Sequence, residues 1–436
     1  MKLNLRFLYL LPLLAVLLTD HGLNEFLFGK EEVRPTEQLY FYGLAGLGLL
    51  AALAYRRHMQ PLMRWWFWLV VACLVLLGME SFNGWGVWIK YPHVFGKLSV
   101  LLPLFGLYAY YRCHPGLSLR QMVVVLFPGL LLSLAVYHPE ALSLGSFLNT
   151  ARGFSVTSTY LLLLIALLCL NWYLTRGEVL SGLVFLFAMA LIVFLQHRTV
   201  WVCASLALAI DIGLLAWRVP QARQLARRLT TLGAAALLLG VGSGLAVVLD
   251  NPDVVNKLVN NLEDLQHPTT QGTGTFRVHQ YEAYMPFVYE RPVAGWRFEG
   301  FELPVQLYGE DGNPVWENYT GHHFHSFYLD RLFYGGGLGL GLVVLVPLLA
   351  LLRILFRTSP LTPDLAALVA YSCTFFVFGL SYDWPSYVYG VLGLVLAAIS
   401  FQMAPATAAA LGRSRHAPWR HRPTIGESVL AGQGLA

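Results

Sequence analysis

The stretch LFYGGGLGLGLVVLVPLLALLRILF, residues 332–356, contains one charged side chain, Arg353, in a run of apolar residues. About 20 apolar residues are enough for one helical crossing of a bilayer. Because a helix satisfies its own backbone hydrogen bonds in lipid, we predict that this stretch is a transmembrane helix. The chain as a whole is 57% hydrophobic and 12% charged, which favours a polytopic membrane protein over a soluble one.

Apolar runs of similar length recur along the rest of the chain. The first of them follows Lys2 and Arg6 and so resembles a secretory signal, but the LLTDHG that comes after it lacks a small-residue cleavage pattern. We therefore expect this first helix to be retained. We predict about twelve transmembrane helices in total, at 3–19, 38–55, 63–79, 93–111, 121–137, 155–174, 179–196, 199–217, 230–249, 332–356, 364–380 and 385–403.

The loops between these helices differ in charge from one side of the membrane to the other. Cytoplasmic loops of membrane proteins are rich in Lys and Arg. With the N-terminus in the cytoplasm, the inner segments hold most of the basic residues and only the acids Glu178, Asp364 and Glu427, whereas the outer segments hold about twice as many acids as bases. An even number of helices then puts both termini inside. The net charge of +5 reflects this orientation, and we expect no nucleic-acid partner.

The predicted fold is an all-α polytopic membrane protein in four parts. Residues 1–249 hold helices 1–9, 250–325 form a long outer loop, 326–404 hold helices 10–12, and 405–436 form a disordered cytoplasmic tail. In the loop, NPDVVNKLVNNLEDLQ has apolar residues at helical spacing, and TFRVHQYEAYMPFVYE, which ends before Pro292, is typical of a second helix. A loop this long is usually functional, so we expect the site to involve it.

Motifs that would identify other classes of enzyme are absent from the sequence. It has no Walker loop, no GxSxG and no HExxH, which argues against an ATP-driven or a metal-dependent hydrolytic enzyme. Its five cysteines lie in or beside apolar runs and outside the long loop, so neither a disulfide framework nor a CxxC metal site is indicated. The candidates are therefore the titratable residues at the outer ends of helices.

The segment GHHFHSFYLDRLFYGGGLG, residues 321–339, places several titratable side chains just before an apolar helix. His325, Leu329 and Leu332 lie at positions i, i+4 and i+7, and so they share one face of that helix. His325 is either an interfacial residue that anchors the helix end or a general base, since histidine has the side-chain pKa nearest to neutral pH. His322 precedes it in the turn, where we expect it to be solvated.

The presence of two arginines on the outer side requires an explanation, because the orientation rule disfavours positive charge there. Arg198 lies in a tight hairpin between two predicted helices, and Arg277 lies near the start of the second loop helix, where the helix dipole favours an acid. Each is either a solvated or snorkelling arginine or a cation that binds an anionic headgroup or phosphate. Lys97 and Asp211 fall within predicted helices, where an ionisable residue is either functional or paired internally. Secondary candidates at the outer helix ends are Arg297, Arg331, Tyr328 and Asp383.

Three segments resemble the O-antigen ligase and polymerase family of bacterial membrane glycosyltransferases. They are HRTVW at 197–201, GTFRVHQYEAYMPFVYERPVAGW at 274–296 and HSFYLDRLFYGGGLG at 325–339. In order and spacing they are similar to the family's outer arginine, its arginine-led loop helix that ends in a Pro…Gly turn, and its signature histidine followed by leucines and glycine. Ser326 and Tyr281 depart from the asparagine and tryptophan that are common at these positions in relatives.

The resemblance implies a fold similar to that of other lipid-dependent (GT-C-like) glycosyltransferases, with the active site on the periplasmic face of the bacterial inner membrane. It implies that a glycan is transferred, with inversion, from undecaprenyl pyrophosphate to an acceptor without a metal or another cofactor. His325 would be the general base, and Arg198 and Arg277 would bind the pyrophosphate. For a ligase, the donor is undecaprenyl-pyrophosphate-linked O-antigen and the acceptor is the lipid A–core oligosaccharide of lipopolysaccharide.

Three other functions compete with ligation. A repeat-unit polymerase of the same family would lengthen chains that stay on the carrier, and we favour ligation over it. A flippase for a lipid-linked saccharide is a further alternative, but transporters often contain an internal repeat, and no repeated half is evident in this sequence. A non-catalytic scaffold would have no need of an outward histidine near arginines.

Overall fold

The computed structural model describes residues 35–114, 119–149, 154–220, 222, 224–251, 253–266, 272–303, 322 and 324–402. All the regular secondary structure within these ranges is helical, with short 3-10 helices at Arg56–His58 and Pro139–Leu142. The α-helices of the described part are α1 Pro35–Ala54, α2 Pro61–Trp85, α3 Pro92–Ser99, α4 Leu101–Cys113, α5 Leu119–Tyr137, α6 Leu144–Asn149, α7 Val156–Arg176, α8 Val179–Phe194, α9 Arg198–Arg218, α10 Leu225–Asp250, α11 Asp253–Gln266, α12 Gly272–Glu290, α13 Arg297–Glu302, α14 Phe327–Leu355, α15 Pro363–Ser381 and α16 Ser386–Gln402.

The lengths and compositions of these helices are those of a multi-pass membrane protein. In the described ranges, seven helical stretches are long and apolar enough to cross a bilayer: α2, α3 with α4, α5, α7, α9, α14 and α15. Shorter apolar helices occur in α1, α8 and α16. The first predicted span, 3–19, and the predicted tail, 405–436, lie outside the described residues. Each of the other predicted spans overlaps one helix, or two helices in the case of 93–111. The total of twelve crossings stays a prediction.

The centre of the bundle is formed by α7 and α15. Every side chain of α7 from Ser158 to Trp172 is buried, and α7 packs against α8, α9 and α15. A helix that is apolar on all sides is expected in the interior, because it has no polar face to present to water. By contrast, α2 and α14 expose large apolar side chains such as Leu69, Leu338 and Leu349, which suits a surface in contact with lipid.

Long-range contacts show which helix ends lie together. Arg218, the last residue of α9, donates hydrogen bonds to the carbonyl of Ser359, just before α15. Near the other end of these helices, the Cys203 thiol contacts the Thr374 carbonyl at 3.8 Å, so α9 and α15 run antiparallel. The beginning of α9 and the end of α15 therefore lie at one end of the bundle. Ser326, which precedes α14, donates to the Gly379 carbonyl at the same end, which we call the upper end.

The helix α14 is broken near its upper end. Gly336 has φ 61° and ψ −165°, which is outside the helical region. The loop segment 292–296 inserts there: the Gly337 and Leu338 N–H groups donate to the Pro292 and Val293 carbonyls at 2.7 and 3.0 Å, and the Trp296 N–H donates to the Phe333 carbonyl at 2.8 Å. Irregular backbone at membrane depth is tolerated where protein buries it, as the inserted loop does here.

Two glycines make this insertion possible. Gly295 also has a positive φ of 63°, and a Cβ on it would lie 2.6 Å from the backbone nitrogen of Gly336. A Cβ on Gly336 would overlap the backbone of Val293. The prediction of one continuous helix over 332–356 is therefore wrong at Gly336, because the loop backbone replaces the helical hydrogen bonds at that point.

Candidate functional site

His325 lies two residues before α14, at the upper end. The side chain of Ser326 caps the first turn of α14 by accepting a hydrogen bond from the Leu329 N–H, so the chain changes direction here and leaves His325 outside the helix. The His325 backbone N–H donates to the side-chain oxygen of Gln280 at 3.1 Å. The ring packs edge-on against Phe276, with 5.3 Å between centroids, and part of the side chain is exposed.

Arg277 belongs to α12, the helix that also supplies Phe276 and Gln280. Its Nε donates to the Ser381 carbonyl at 3.1 Å, and its guanidinium lies over the ring of Tyr382, 4.9 Å from the centroid. The end of α15 thus fixes Arg277 beside His325. The predicted loop helix that carries this arginine begins at Gly272, three residues before Thr275, the first residue of the stretch TFRVHQYEAYMPFVYE.

The surroundings of His325 favour its neutral form. Protein atoms cover enough of the ring to desolvate it partly, and this burial lowers the pKa of His325 from its ordinary value. The positive charge of Arg277 lowers the pKa further, because it repels a second positive charge on the imidazole. A neutral imidazole at neutral pH can accept a proton, as a general base must.

Arg198 is the first residue of α9 and so lies at the upper end as well. The hairpin before it is fixed by buried neighbours: the Gln196 side chain donates to the Phe147 carbonyl at 2.6 Å and accepts from Asn261 at 2.8 Å, and the His197 ring is 2.9 Å from the Phe154 carbonyl. Arg198 itself is half-buried. The three principal candidates therefore share one end of the bundle, and His325 and Arg277 are neighbours.

Two of the secondary candidates are engaged with other parts of the protein. The Arg297 Nε donates to both carboxylate oxygens of Glu80 at 2.9 Å, and each side chain of this pair is about one-third exposed. The Tyr328 hydroxyl donates to the Phe376 carbonyl at 2.8 Å. These contacts connect the loop and α14 to α2 and α15.

The other two secondary candidates, Arg331 and Asp383, form part of an ionic cluster that is buried except at Asp383. The Nη2 of Arg331 lies 3.4 Å from Asp383 Oδ1, and Nη1 pairs with the neighbouring carboxylate of Asp330. The other oxygen of Asp330 accepts from Lys97 Nζ at 2.5 Å. We call these four residues the ion chain. Of the two alternatives for Lys97, a functional role or internal pairing, the structure therefore shows internal pairing.

Asp211, the other ionisable residue within a predicted span, lies away from this site. It is fully buried, and its Oδ1 accepts from the Asn171 side chain at 2.9 Å. The same Asn171 amide donates to the Pro363 carbonyl at the start of α15, which is the lower end of the bundle.

A largely apolar cavity of about 370 Å³ lies beside the upper end, between α2, α3 and α14. Its upper part is lined by Glu80, Lys97, Arg297 and Arg331. Its lower part runs along leucines toward Leu342, whose carbonyl accepts from the Trp66 indole. The ion chain therefore lies between this cavity and the segment that holds Arg277.

His322 is buried, and so the expectation that it would be solvated is wrong. Its Nδ1 is 2.7 Å from the Tyr284 hydroxyl, and its Nε2 is 3.0 Å from the Leu303 carbonyl. The ring packs against Phe324 and Phe333, in an aromatic cluster that joins α12 to α14. Phe324, a large apolar residue two positions after His322, was the signal in the sequence that part of this short segment is buried.

Comparison with known proteins adds no family assignment. No protein-family model matches the chain. No curated protein shows significant similarity to it. The resemblance to a family of glycosyltransferases therefore rests on the three segments quoted above alone. Among the residues that the structure describes, no group of three or more His, Cys, Asp and Glu side chains is placed to hold a metal ion.

Proposed function

We propose that the protein is an O-antigen ligase, which transfers O-antigen polysaccharide from undecaprenyl pyrophosphate to the lipid A–core oligosaccharide. The observation that carries the proposal is the partly exposed His325 held beside Arg277, at the end of the bundle where Arg198 also lies. In this proposal the upper end faces the periplasm, the protein is in the bacterial inner membrane, and both termini are cytoplasmic.

The proposed reaction needs a base and a stabilised leaving group. The neutral His325 imidazole takes the proton of an acceptor hydroxyl while the hydroxyl oxygen attacks the anomeric carbon of the donor. The bond from this carbon to the diphosphate oxygen breaks, and the configuration at the carbon inverts. Negative charge grows on the diphosphate as the bond breaks, and Arg277 and Arg198 stabilise it. The proton remains on His325 until water or the product takes it.

The cavity beside the ion chain supports a lipid-linked substrate. It opens beside α2 and α14, whose exposed leucines suit a lipid-facing surface, and its lower part is apolar. Its charged residues already have partners, since Lys97 pairs with Asp330 and Arg297 with Glu80, so we do not assign the diphosphate to this cavity. The diphosphate is assigned to the end of the bundle that holds Arg277.

The proposal is tested by reconstitution of the purified protein with carrier-linked O-antigen and lipid A–core. We expect polysaccharide attached to lipid A–core, and we expect the reaction to continue in EDTA. Arg277→Met should reduce the rate strongly, because the developing charge on the diphosphate loses its counter-charge. Longer chains that are still carrier-linked would contradict ligation in favour of polymerisation, and a strict requirement for Mg²⁺ would contradict the role given to the arginines.

A further inference from the structure

The position of Arg277 depends on the short segment between α15 and α16. Two of its contacts, with the Ser381 carbonyl at the end of α15 and with the Tyr382 ring just after it, are made here. We refer to residues 381–384 as the α15–α16 turn. A displacement of this turn would move Arg277 relative to His325.

The α15–α16 turn is itself held by Asp383 and Trp384. Asp383 Oδ1 accepts from the Trp384 backbone N–H at 2.8 Å and lies 3.4 Å from Arg331 Nη2. The Trp384 ring stacks on Phe327, with 4.1 Å between centroids, and its Nε1 donates to the Phe375 carbonyl at 2.8 Å. Arg331 thus lies under the turn and binds it through Asp383.

Arg331 has a fixed position because its own surroundings are buried and polar. Its side chain is 4% exposed, whereas that of Asp383 is 40% exposed. Arg331 Nη2 donates to the Tyr389 hydroxyl at 3.1 Å, and Nη1 pairs with Asp330, which is held in turn by Lys97. The positive charges of Lys97 and Arg331 balance the negative charges of Asp330 and Asp383. Charged groups are tolerated away from water when they are paired in this way.

We propose that Arg331 and Asp383 are positioning residues whose ion pair holds the α15–α16 turn and thereby keeps Arg277 beside His325. Neither side chain needs to touch the substrate for this role. The inference rests on the proposed function for its effect on catalysis. The placement of Arg277, however, can be measured without any reaction.

The pKa of His325 reports how close Arg277 lies. It can be followed by NMR on the full chain in lipid nanodiscs with ¹³C-labelled histidine, and His325→Gln identifies the signal by its loss. Arg277→Met gives the reference shift, which we expect to be upward because a repelling positive charge is removed. A variant that displaces Arg277 should move the His325 pKa in the same direction.

Asp383→Asn is the decisive variant. It preserves the shape of the side chain and the acceptor for the Trp384 N–H, so it should fold. Its direct electrostatic effect is to remove a negative charge, which lowers the pKa of His325. Displacement of Arg277 has the opposite effect and raises it. The sign of the shift therefore separates positioning from simple electrostatics.

The expected result is an upward shift in Asp383→Asn, with no further upward shift when this variant is combined with Arg277→Met. Arg331→Met should also raise the pKa, but the loss of its own positive charge acts in the same direction, so Asp383→Asn decides. Arg218→Met is the matched control, since Arg218 is also a buried arginine but binds the Ser359 and Ile354 carbonyls at the lower end. It should leave the His325 pKa unchanged.

An unchanged or lowered pKa in Asp383→Asn would overturn the inference, and so would an Arg277→Met variant without any shift.

In the transfer assay, Asp383→Asn should lower kcat and move the acidic limb of the pH profile upward, as Arg277→Met does. A merely structural role would reduce the amount of folded enzyme without moving that limb. Absence of transfer by the unaltered protein would contradict the proposed function and leave the NMR result standing.

Discussion

The backbone of His325 is held by Gln280, while part of its ring stays exposed to a substrate. Replacing this ring with a side chain that cannot act as a base should remove general-base catalysis. We expect His325→Gln to lower kcat by about 10²–10⁴-fold, the usual contribution of one general base. The measurement is transfer by equal amounts of reconstituted protein.

The control for this variant is His279→Gln, an exposed histidine on the same helix as Arg277. It should retain activity. Full transfer by His325→Gln would show that the base lies elsewhere.

The lowered pKa of His325 also predicts a pH dependence. The base must be neutral, so kcat/KM should fall as the pH drops through the pKa of His325. Because burial and Arg277 lower this pKa, the acidic limb should lie below the ordinary value of about 6.5. Arg277→Met should move the limb to higher pH. A limb that stays in place in this variant would contradict the electrostatic link between the two residues.

At the scale of single residues, the sequence was informative wherever a residue type was out of place. A histidine at a helix end and arginines on the side of the membrane that disfavours them made His325, Arg277 and Arg198 candidates, and the structure places all three at the upper end. Their partners could not be predicted in the same way, because Lys97 and Asp330 are 233 residues apart and only the packing of α3 on α14 brings them together.

At the scale of elements, the break in α14 is the feature that a substitution can test most sharply. Gly336 has a backbone conformation that is essentially limited to glycine, and another residue there costs about 1–3 kcal/mol in strain before any overlap. We expect Gly336→Ala to lower the midpoint of thermal unfolding in detergent, because the new Cβ also overlaps the Val293 backbone. Gly295→Ala should do the same.

Gly341 provides the matched control in the same helix. A Cβ at this position would meet no atom within 4 Å. Gly341→Ala should therefore be neutral or stabilising, by about 0.5–1 kcal/mol. Equal midpoints for Gly336→Ala and Gly341→Ala would mean that the loop does not insert at the break.

The helices themselves could be predicted because length and hydropathy are local properties. The run 332–356 and the other apolar runs each contain enough residues to cross a bilayer, whatever they pack against. The three glycines after Tyr334 gave no comparable indication of a break. The conformation of Gly336 depends on the Pro292 and Val293 carbonyls, which reach it from another part of the chain.

At the scale of the whole molecule, the charge bias of the loops predicts which end faces outward. Glu299 is exposed on the segment packed against the upper part of α14, and Thr358 is exposed at the lower end. In a version of the protein without its native cysteines, Glu299→Cys should react with a membrane-impermeant maleimide added to spheroplasts. Thr358→Cys should react only after the cells are opened. The reverse pattern would place the candidate site in the cytoplasm.

Because α14 is broken at Gly336, a rotation of its lower half need not be passed on to its upper half. In a continuous helix, one inserted residue rotates everything on one side of it by about 100°, since a turn contains 3.6 residues. Here three backbone hydrogen bonds hold α14 to the loop on both sides of the break, at Phe333 above it and at Gly337 and Leu338 below it, so an insertion below Gly341 should be absorbed by the membrane-embedded half. The orientation of the His325 imidazole would then stay the same although the helix a few turns below it has rotated.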